Sequence, residues 1–124
     1  MLGSKSILIV EDNIFLALDL SLAVEDLGGA VVGPVSSVVD ALSLIASCKI
    51  SGAVLDCELV DRDITPIVMT LIEQGVPLVL HTGTGIPPAL AEIHPDLPVL
   101  AKPLKPAAVI KTLAERINDN QPPN

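Results

Sequence analysis

The sequence predicts an α/β fold, a doubly wound sheet of five parallel strands in the order 2-1-3-4-5. Short apolar runs begin at residues 7, 30, 53, 76 and 98, so successive starts lie 22 or 23 residues apart. The segments between these runs have helical patterning, and the regular alternation predicts five βα units. Each run is continuously apolar, which is typical of strands that helices cover on both faces.

The chain is expected to form one domain that spans all of its 124 residues. The core is expected at about residues 5–118, because the last residues are polar and include two prolines. Residues 119–124 are therefore predicted to be a flexible tail. Half of the chain is hydrophobic, yet it has no Trp, no Tyr and one Phe, so Leu, Ile, Val and Ala must build the core.

Residues that begin or end helices separate the apolar runs. Glycines predict the ends of the first and third helices, at Gly28-Gly29 and Gly75. Ser37 predicts the N-cap of the second helix. Thr65 is predicted to cap the third helix, with Pro66 as its first helical residue.

The composition restricts the classes of partner. A formal net charge of −8 disfavours general binding to nucleic-acid phosphates and favours cations, metal ions or basic patches as partners. Cys48 and Cys57 form no CxxC motif and are predicted to be reduced. No run resembles a signal peptide or has the length of a membrane span. A cytoplasmic protein without nucleic-acid or membrane partners is expected.

Five polar residues fall at the carboxyl ends of the predicted strands. Glu11 and Asp12 follow the first strand, and Asp56 ends the third. Thr82 ends the fourth strand, and Lys102 ends the fifth. Because strands one and three are neighbours at the switch point of this strand order, the three carboxylates are expected to converge there.

Three converging carboxylates are unfavourable without a counter-ion, because like charges and partial burial both oppose ionisation. Mg²⁺ removes that cost, and it binds one or two carboxylates while keeping positions for water and phosphate oxygens. A carboxylate can also attack phosphorus and form an acyl phosphate. We therefore interpret Glu11 and Asp12 as a metal cup beside a nucleophilic Asp56. The Thr82 hydroxyl and the Lys102 ammonium would hold phosphoryl oxygens.

Four short motifs lie at these strand ends in a fixed order: VEDN at 10–13, LD at 55–56, TG at 82–83 and KP at 102–103. Through them the chain resembles the receiver domain of two-component response regulators over about residues 5–118. The resemblance implies the flavodoxin-like receiver fold. It also implies a stand-alone, single-domain signalling protein, with output through contacts with an unknown downstream protein or through a phosphorelay.

The resemblance implies a role for each residue of the site. Asp56 would be the phosphoacceptor, taking a phosphoryl group from a histidine kinase or a histidine phosphotransfer protein. Thr82 would hydrogen-bond the phosphoryl group, and Lys102 would pair with it. The peptide bond before Pro103 is expected to be cis, as is common in this family. The protein would be a substrate and partial catalyst of its own phosphorylation, not a turnover enzyme.

The resemblance also implies a Mg²⁺ site. Glu11 and Asp12 would hold the ion together with Asp56 and the backbone carbonyl of Glu58. The side chain of Glu58 departs from the family, in which a neutral side chain is usual at this position. This carboxylate is expected to compete for the metal or to change the lifetime of the phosphoryl group.

Two further departures lie near the fourth helix and the fifth strand. Val99 stands where receivers often carry Tyr, Phe or His, so an aromatic switch at this position is excluded. Pro87-Pro88 and Pro95 leave room for only a short fourth helix. Both departures bear on the usual output face, which is built around the fourth helix, the fifth strand and the fifth helix.

The first helix is predicted to carry an exposed apolar stripe. With Leu20 and Val24 against the sheet, Phe15, Leu18 and Leu22 face outward. A contiguous stripe beside the acidic residues predicts an interface. Its partner would be the helix bundle of a kinase or a second copy of the chain, as a homodimer.

Several alternatives stay open at this point. The chain could be a degenerate receiver that binds a partner without phosphorylation. The DRDIT stretch also matches the start of a haloacid-dehalogenase-type motif, in which Asp61 would be the nucleophile of a small phosphotransferase. Thr82 could serve turn chemistry within HTGTG instead of a phosphoryl group. His81 and His94 have no metal-ligand spacing and are predicted to be structural or surface residues.

Overall fold

The computed structural model describes residues 2–59, 61 and 63–119. It contains one sheet of five parallel strands in the order β2-β1-β3-β4-β5, so the predicted fold class and strand order are confirmed. The strands are β1 (Ser6–Val10), β2 (Ala30–Val35), β3 (Gly52–Asp56), β4 (Leu78–Thr82) and β5 (Val99–Ala101).

A helix follows each strand: α1 (Ile14–Asp26), α2 (Val38–Ser47), α3 (Thr65–Glu73), α4 (Pro88–Ile93) and α5 (Pro106–Asp119). The short fourth helix is confirmed, with 6 residues. Helix α5 includes Asp119, the first residue of the predicted tail, and residues 120–124 of that tail lie outside the described residues. Within the described ranges, no helix combines the length and the apolar character that a membrane crossing requires.

The sheet separates two aliphatic core layers. One layer lies against α2 and α3, and its fully buried members include Leu55, Ile67, Leu71 and Leu80. The other lies against α1 and α5, and it includes Leu20, Val54, Ile110 and Leu113. The central strands β3 and β4 are buried along their whole length. This two-sided burial explains why their sequences are continuously apolar up to the carboxyl ends.

The predicted helix ends are largely confirmed. Gly28 adopts a φ of 83° and Gly75 a φ of 70°, in the left-handed region that ends helices. The Ser37 hydroxyl accepts a hydrogen bond from Asp40 N at 3.1 Å. Thr65, however, is the first residue of α3 and not its cap, because the preceding Asp63 carboxylate accepts the hydrogen bond from Thr65 N.

Asp61 supplies a second cap to α2 from a distant loop. Its carboxylate oxygens accept hydrogen bonds from Val38 N at 3.1 and 3.0 Å, and from Val39 N at 3.4 Å. A carboxylate at this end satisfies helix donors and interacts favourably with the helix dipole. The loop that follows β3 is thereby joined to the start of α2.

Leu20 and Leu22 of α1 offer a test of the packing on two faces of one helix. Leu20 is fully buried, whereas Leu22 is about half exposed. We expect Leu20→Ala to lower the free energy of unfolding by about 2–5 kcal/mol, since it leaves a cavity. Leu22→Ala should change it by less than about 1 kcal/mol. Urea denaturation followed by far-ultraviolet circular dichroism measures both, and equal losses would contradict this assignment of faces.

Candidate phosphoryl-transfer site

Three carboxylates meet where β1 and β3 end. Glu11 and Asp12 directly follow β1, and Asp56 is the last residue of β3. One carboxylate oxygen from each of the three lies within 4.8 Å of the others. Glu11 and Asp56 are buried, with 3% and 1% of their surface exposed, and Asp12 is exposed. The convergence expected from the strand order is therefore present.

Lys102 brings a positive charge to the same place from the end of β5. Its ammonium lies 3.2 Å from Asp56 Oδ1 and 3.3 Å from Glu11 Oε1. Its backbone N donates to Thr82 O at 2.7 Å, which joins the ends of β5 and β4. The Lys102-Pro103 peptide bond is cis, as the family resemblance implies. The site therefore combines one ammonium with three carboxylates.

The two buried acids of the site, Glu11 and Asp56, have pKa values that shift in opposite directions. Burial and the neighbouring Asp56 raise the pKa of Glu11 to about 7. The hydrogen bond from Asn13 N favours the ionised form but does not offset this increase. Burial also opposes ionisation of Asp56, but the hydrogen bond from Glu58 N and interactions with the neighbouring carboxyl groups outweigh it and lower its pKa to about 2. Asp56 is therefore the ionised partner, and Glu11 holds a proton into the neutral range.

Lys102 stays charged in this arrangement. Burial opposes its protonation, but hydrogen bonding and charge interactions with Asp56 and Glu11 prevail and raise its pKa.

Cys57, next to Asp56, is held in its uncharged form. Burial and the charges of Glu58 and Asp56 raise the pKa of its thiol to about 12. Cys57 is therefore a protonated thiol that packs against the core, not a reactive thiolate.

The two oxygens of Asp56 have different environments. Oδ1 accepts a hydrogen bond from Glu58 N at 3.0 Å and contacts Lys102. Oδ2 is buried and has no hydrogen-bond partner among residues 2–59, 61 and 63–119. An orphaned, buried carboxylate oxygen beside two further carboxylates fits a hard cation such as Mg²⁺, which binds oxygen ligands. The donor set is thus compatible with the metal that the sequence predicts.

Thr82 is engaged in its own turn. Its hydroxyl oxygen accepts hydrogen bonds from Thr84 N at 3.1 Å and Gly85 N at 3.0 Å, and it donates to Gly85 O at 2.9 Å. The side chain is buried at the end of β4 but makes no hydrogen bond to Asp56 within the part of the chain that the structure describes. The turn chemistry suggested by HTGTG is therefore the role that Thr82 has in this state.

The Glu58 side chain interacts with the neighbouring loop. Its Oε1 accepts a hydrogen bond from Gly83 N at 2.7 Å. It does not belong to the cluster of carboxylates whose oxygens lie within 4.8 Å of one another. Its main contact is thus a backbone amide after β4.

His81 was predicted only as a structural or surface residue, and the structure places it beside the site. It pairs in register with Asp56 across β3 and β4, and 1% of its surface is exposed. Neither ring nitrogen has a hydrogen-bond partner within the described ranges. Burial and the charge of Lys102 lower its pKa, so the ring is neutral. Its position one residue before the end of a central strand was the available signal for this burial.

The remaining candidates lie outside the acidic cluster. Asp61 caps α2, and it is not a member of the carboxylate cluster found among residues 2–59, 61 and 63–119. Phe15, Leu18 and Leu22 are exposed at 79%, 57% and 51%, as predicted for the outward stripe of α1. Ile14 continues this stripe towards the site and lines a cavity of about 430 Å³ that also borders Glu11 and Asp12.

The chain is similar to solved receiver structures over nearly its whole length. A response regulator receiver protein from Sinorhizobium medicae WSM419 shares 25% sequence identity, with 98% of this chain and 100% of that chain covered and a TM-score of 0.82. The BeF3-activated conformation of SdrG from Pseudomonas melonis Fr1 shares 35% identity, with 92% of this chain and 97% of that chain covered and a TM-score of 0.70.

A third similar structure contains a metal ion. The receiver domain of a sensor histidine kinase from Pseudomonas aeruginosa PAO1 has a magnesium ion coordinated in its active site cleft. It shares 22% identity, with 93% of this chain and 98% of that chain covered and a TM-score of 0.76. No protein-family model and no curated protein sequence matches the chain.

The geometry and the comparisons lead to the same family. The strand order, the acids at the ends of β1 and β3, and the lysine at the end of β5 accompany similarity that spans both this chain and the solved receivers. The chain belongs to the response regulator receiver family of two-component signal transduction.

Proposed function

We propose that this receiver accepts a phosphoryl group on Asp56 from a histidine kinase or a histidine phosphotransfer protein. The observation that carries the proposal is the environment of Asp56. An ionised, buried carboxylate lies 3.2 Å from the Lys102 ammonium and retains one oxygen without a hydrogen-bond partner among the described residues. A carboxylate that is ionised, held in place and left with one oxygen that accepts no hydrogen bond from the described residues is suited to nucleophilic attack.

The proposed step is a direct transfer. A carboxylate oxygen of Asp56 supplies an electron pair to phosphorus, and a new O–P bond forms. The bond from phosphorus to the donor histidine nitrogen breaks, its electron pair returns to the imidazole, and the product on Asp56 is an acyl phosphate. Lys102 offsets the negative charge on the transferred oxygens. Each transfer consumes one Asp56 carboxylate, so we regard the protein as a substrate with a catalytic site and not as a turnover enzyme.

Mg²⁺ is the proposed cofactor. Glu11, Asp12 and Asp56 would hold it, together with the backbone carbonyl of Glu58. When bound, the ion would neutralise charge on the carboxylates and on the phosphoryl oxygens. The magnesium ion in the cleft of the Pseudomonas aeruginosa receiver supports this assignment by analogy.

The exposed stripe of α1 is the proposed docking surface for the phosphodonor. Phe15, Leu18 and Leu22 form an apolar surface on the helix that begins beside the acidic cluster. A helix of the donor that covers this stripe would bring its phosphohistidine towards Asp56. Output through contacts with a downstream protein in the cytoplasm completes the proposed role.

Asp56 and Asp61 can be compared directly as nucleophiles. With Mg²⁺ and a small acyl-phosphate donor, intact-mass spectrometry should detect one phosphoryl adduct on the wild-type protein. The adduct should be absent from Asp56→Asn and retained in Asp61→Asn, because Asp61 caps a helix and is not in the cluster. Loss of the adduct only in Asp61→Asn would contradict the proposal, and no adduct despite Mg²⁺ binding would favour a phosphorylation-independent binding module.

Glu11 makes the stability of the metal-free protein depend on pH. Its folded pKa of about 7 exceeds its ordinary value of 4.5, so its stabilising contribution is full below pH 4.5 and is lost as the pH rises through 7. The lowered pKa of Asp56 makes stability fall with pH only below its ordinary value of 3.8, which lies outside this range of pH. At pH 8 in EDTA, we expect the free energy of unfolding of Glu11→Gln to exceed that of the wild type by about 1–3 kcal/mol, because the variant does not ionise.

The same denaturation series tests the metal site. Millimolar Mg²⁺ should stabilise the wild-type protein and reduce the advantage of Glu11→Gln, because the ion removes the cost of ionising Glu11. The difference between the two proteins should disappear near pH 4, where Glu11 is protonated. Equal stabilisation of both proteins by Mg²⁺ would remove Glu11 from the proposed metal ligands.

Leu18 and Leu22 test the docking surface. The double variant Leu18→Glu, Leu22→Glu should lose at least about tenfold in the rate of phosphotransfer from a phosphorylated histidine phosphotransfer protein, because charges replace the apolar contact. Labelling by a small acyl phosphate should be unchanged. Val39→Glu, at a similarly exposed position on α2, is the matched control. Unchanged transfer, with light scattering showing loss of a dimer, would assign the stripe to self-association instead.

A further inference from the structure

The contact between Glu58 and Gly83 joins the two loops beside the phosphoacceptor. Glu58 Oε1 accepts a hydrogen bond from Gly83 N at 2.7 Å, across 25 positions of sequence. Glu58 Oε2 is buried and has no hydrogen-bond partner within the described ranges. A buried carboxylate oxygen without a partner is costly, so this placement is not explained by stability alone.

The same contact lies at the phosphoacceptor. Glu58 N donates to Asp56 Oδ1 at 3.0 Å, so the residue that binds Gly83 through its side chain also binds the proposed phosphoacceptor through its backbone. A Cβ built on Gly83 would lie 3.1 Å from Glu58 Oε1 and 4.0 Å from Lys102 Cβ. The Gly83 amide therefore binds an internal anion, the Glu58 carboxylate, at a position next to Lys102.

We propose that the Glu58 carboxylate competes with a phosphoryl group on Asp56 for the Gly83 amide. Glu58 is thus a positioning residue that holds the loop after β4 until phosphorylation displaces it. A phosphoryl group brings three acceptor oxygens and a charge of about −1.5 to −2. One N–H cannot serve both anions, and like charges at this distance repel. This inference rests on the proposed phosphorylation of Asp56.

The consequence is a cost attached to phosphorylation. Leaving Gly83 returns the Glu58 carboxylate to water and releases one of the hydrogen bonds that hold the loop after β4. The phosphoryl group must compensate for that release. A charge-assisted hydrogen bond of this kind corresponds to roughly a tenfold change in an equilibrium constant.

Three substitutions separate the contact from the charge. Glu58→Ala removes both the hydrogen bond and the charge. Glu58→Gln keeps the length and an acceptor oxygen but removes the charge. Glu58→Asp keeps the charge on a side chain that is one methylene shorter and does not reach Gly83 N. Glu115→Ala, an exposed position on α5, is the control for net charge.

The experiment measures the affinity of each protein for beryllofluoride with Mg²⁺, using the Gly83 amide resonance in a ¹H–¹⁵N spectrum. We expect Glu58→Ala and Glu58→Asp to bind roughly tenfold more tightly than wild type, with Glu58→Gln between them. Before beryllofluoride is added, the Gly83 amide proton should already have moved upfield in the Ala and Asp variants. Glu115→Ala should match wild type in both measurements.

Two other outcomes would overturn the inference in distinguishable ways. If Glu58→Asp binds like wild type while Glu58→Ala binds more tightly, or if the three variants all bind like wild type, the Gly83 contact does not compete with the phosphoryl group. If the wild-type protein itself fails to bind beryllofluoride with Mg²⁺ present, the proposed function fails and the inference fails with it.

Discussion

The contacts of the Lys102 ammonium with the carboxyl groups of Asp56 and Glu11 are the interaction on which this site depends. They join the carboxyl ends of β1, β3 and β5, with separations of 3.2 and 3.3 Å. A buried charge without a partner is strongly destabilising, so the ammonium makes it feasible to hold two buried acids side by side. One ammonium nevertheless does not balance these acids and Asp12. Burial, with the neighbouring Asp56, raises the pKa of Glu11, and the remaining negative charge is compatible with a divalent cation at this place.

Around this centre, the loops are held by side chains that accept hydrogen bonds from backbone amides. Asp61 accepts from the start of α2, Glu58 accepts from Gly83, and Thr82 accepts from Gly85. The sheet beneath them is held differently, by two continuous aliphatic layers. Individual hydrogen bonds contribute far less than core packing, so these loops can exchange partners while the strands stay in place. This division places the carboxylates and Lys102 at the edge of the packed sheet, beneath loops that hydrogen bonds hold.

Much of this architecture could be predicted from the sequence, because the information was periodic or local. The recurrence of apolar runs predicted the strands, and their parallel order brought Glu11 and Asp56 to one edge. The directions of the loop side chains could not be predicted in this way. Glu58 binds an amide 25 positions away, and Thr82 binds its own turn, so each choice depends on which donors the fold leaves nearby. His81 was predicted as a structural or surface residue because two histidines without ligand spacing carry no motif, and its burial in a central strand agrees with the structural alternative.

The aliphatic composition of the core has a consequence for spectroscopy. The chain has one Phe and neither Tyr nor Trp, and that Phe15 is 79% exposed on the apolar stripe of α1. Intrinsic fluorescence from Trp or Tyr is therefore absent from the folded protein, and its benzyl ring signals arise from a single surface position. A binding partner without aromatic residues would add no aromatic ring signals to the spectrum of this protein. The Phe15 ring protons thus form a natural single-site reporter of whatever covers this helix.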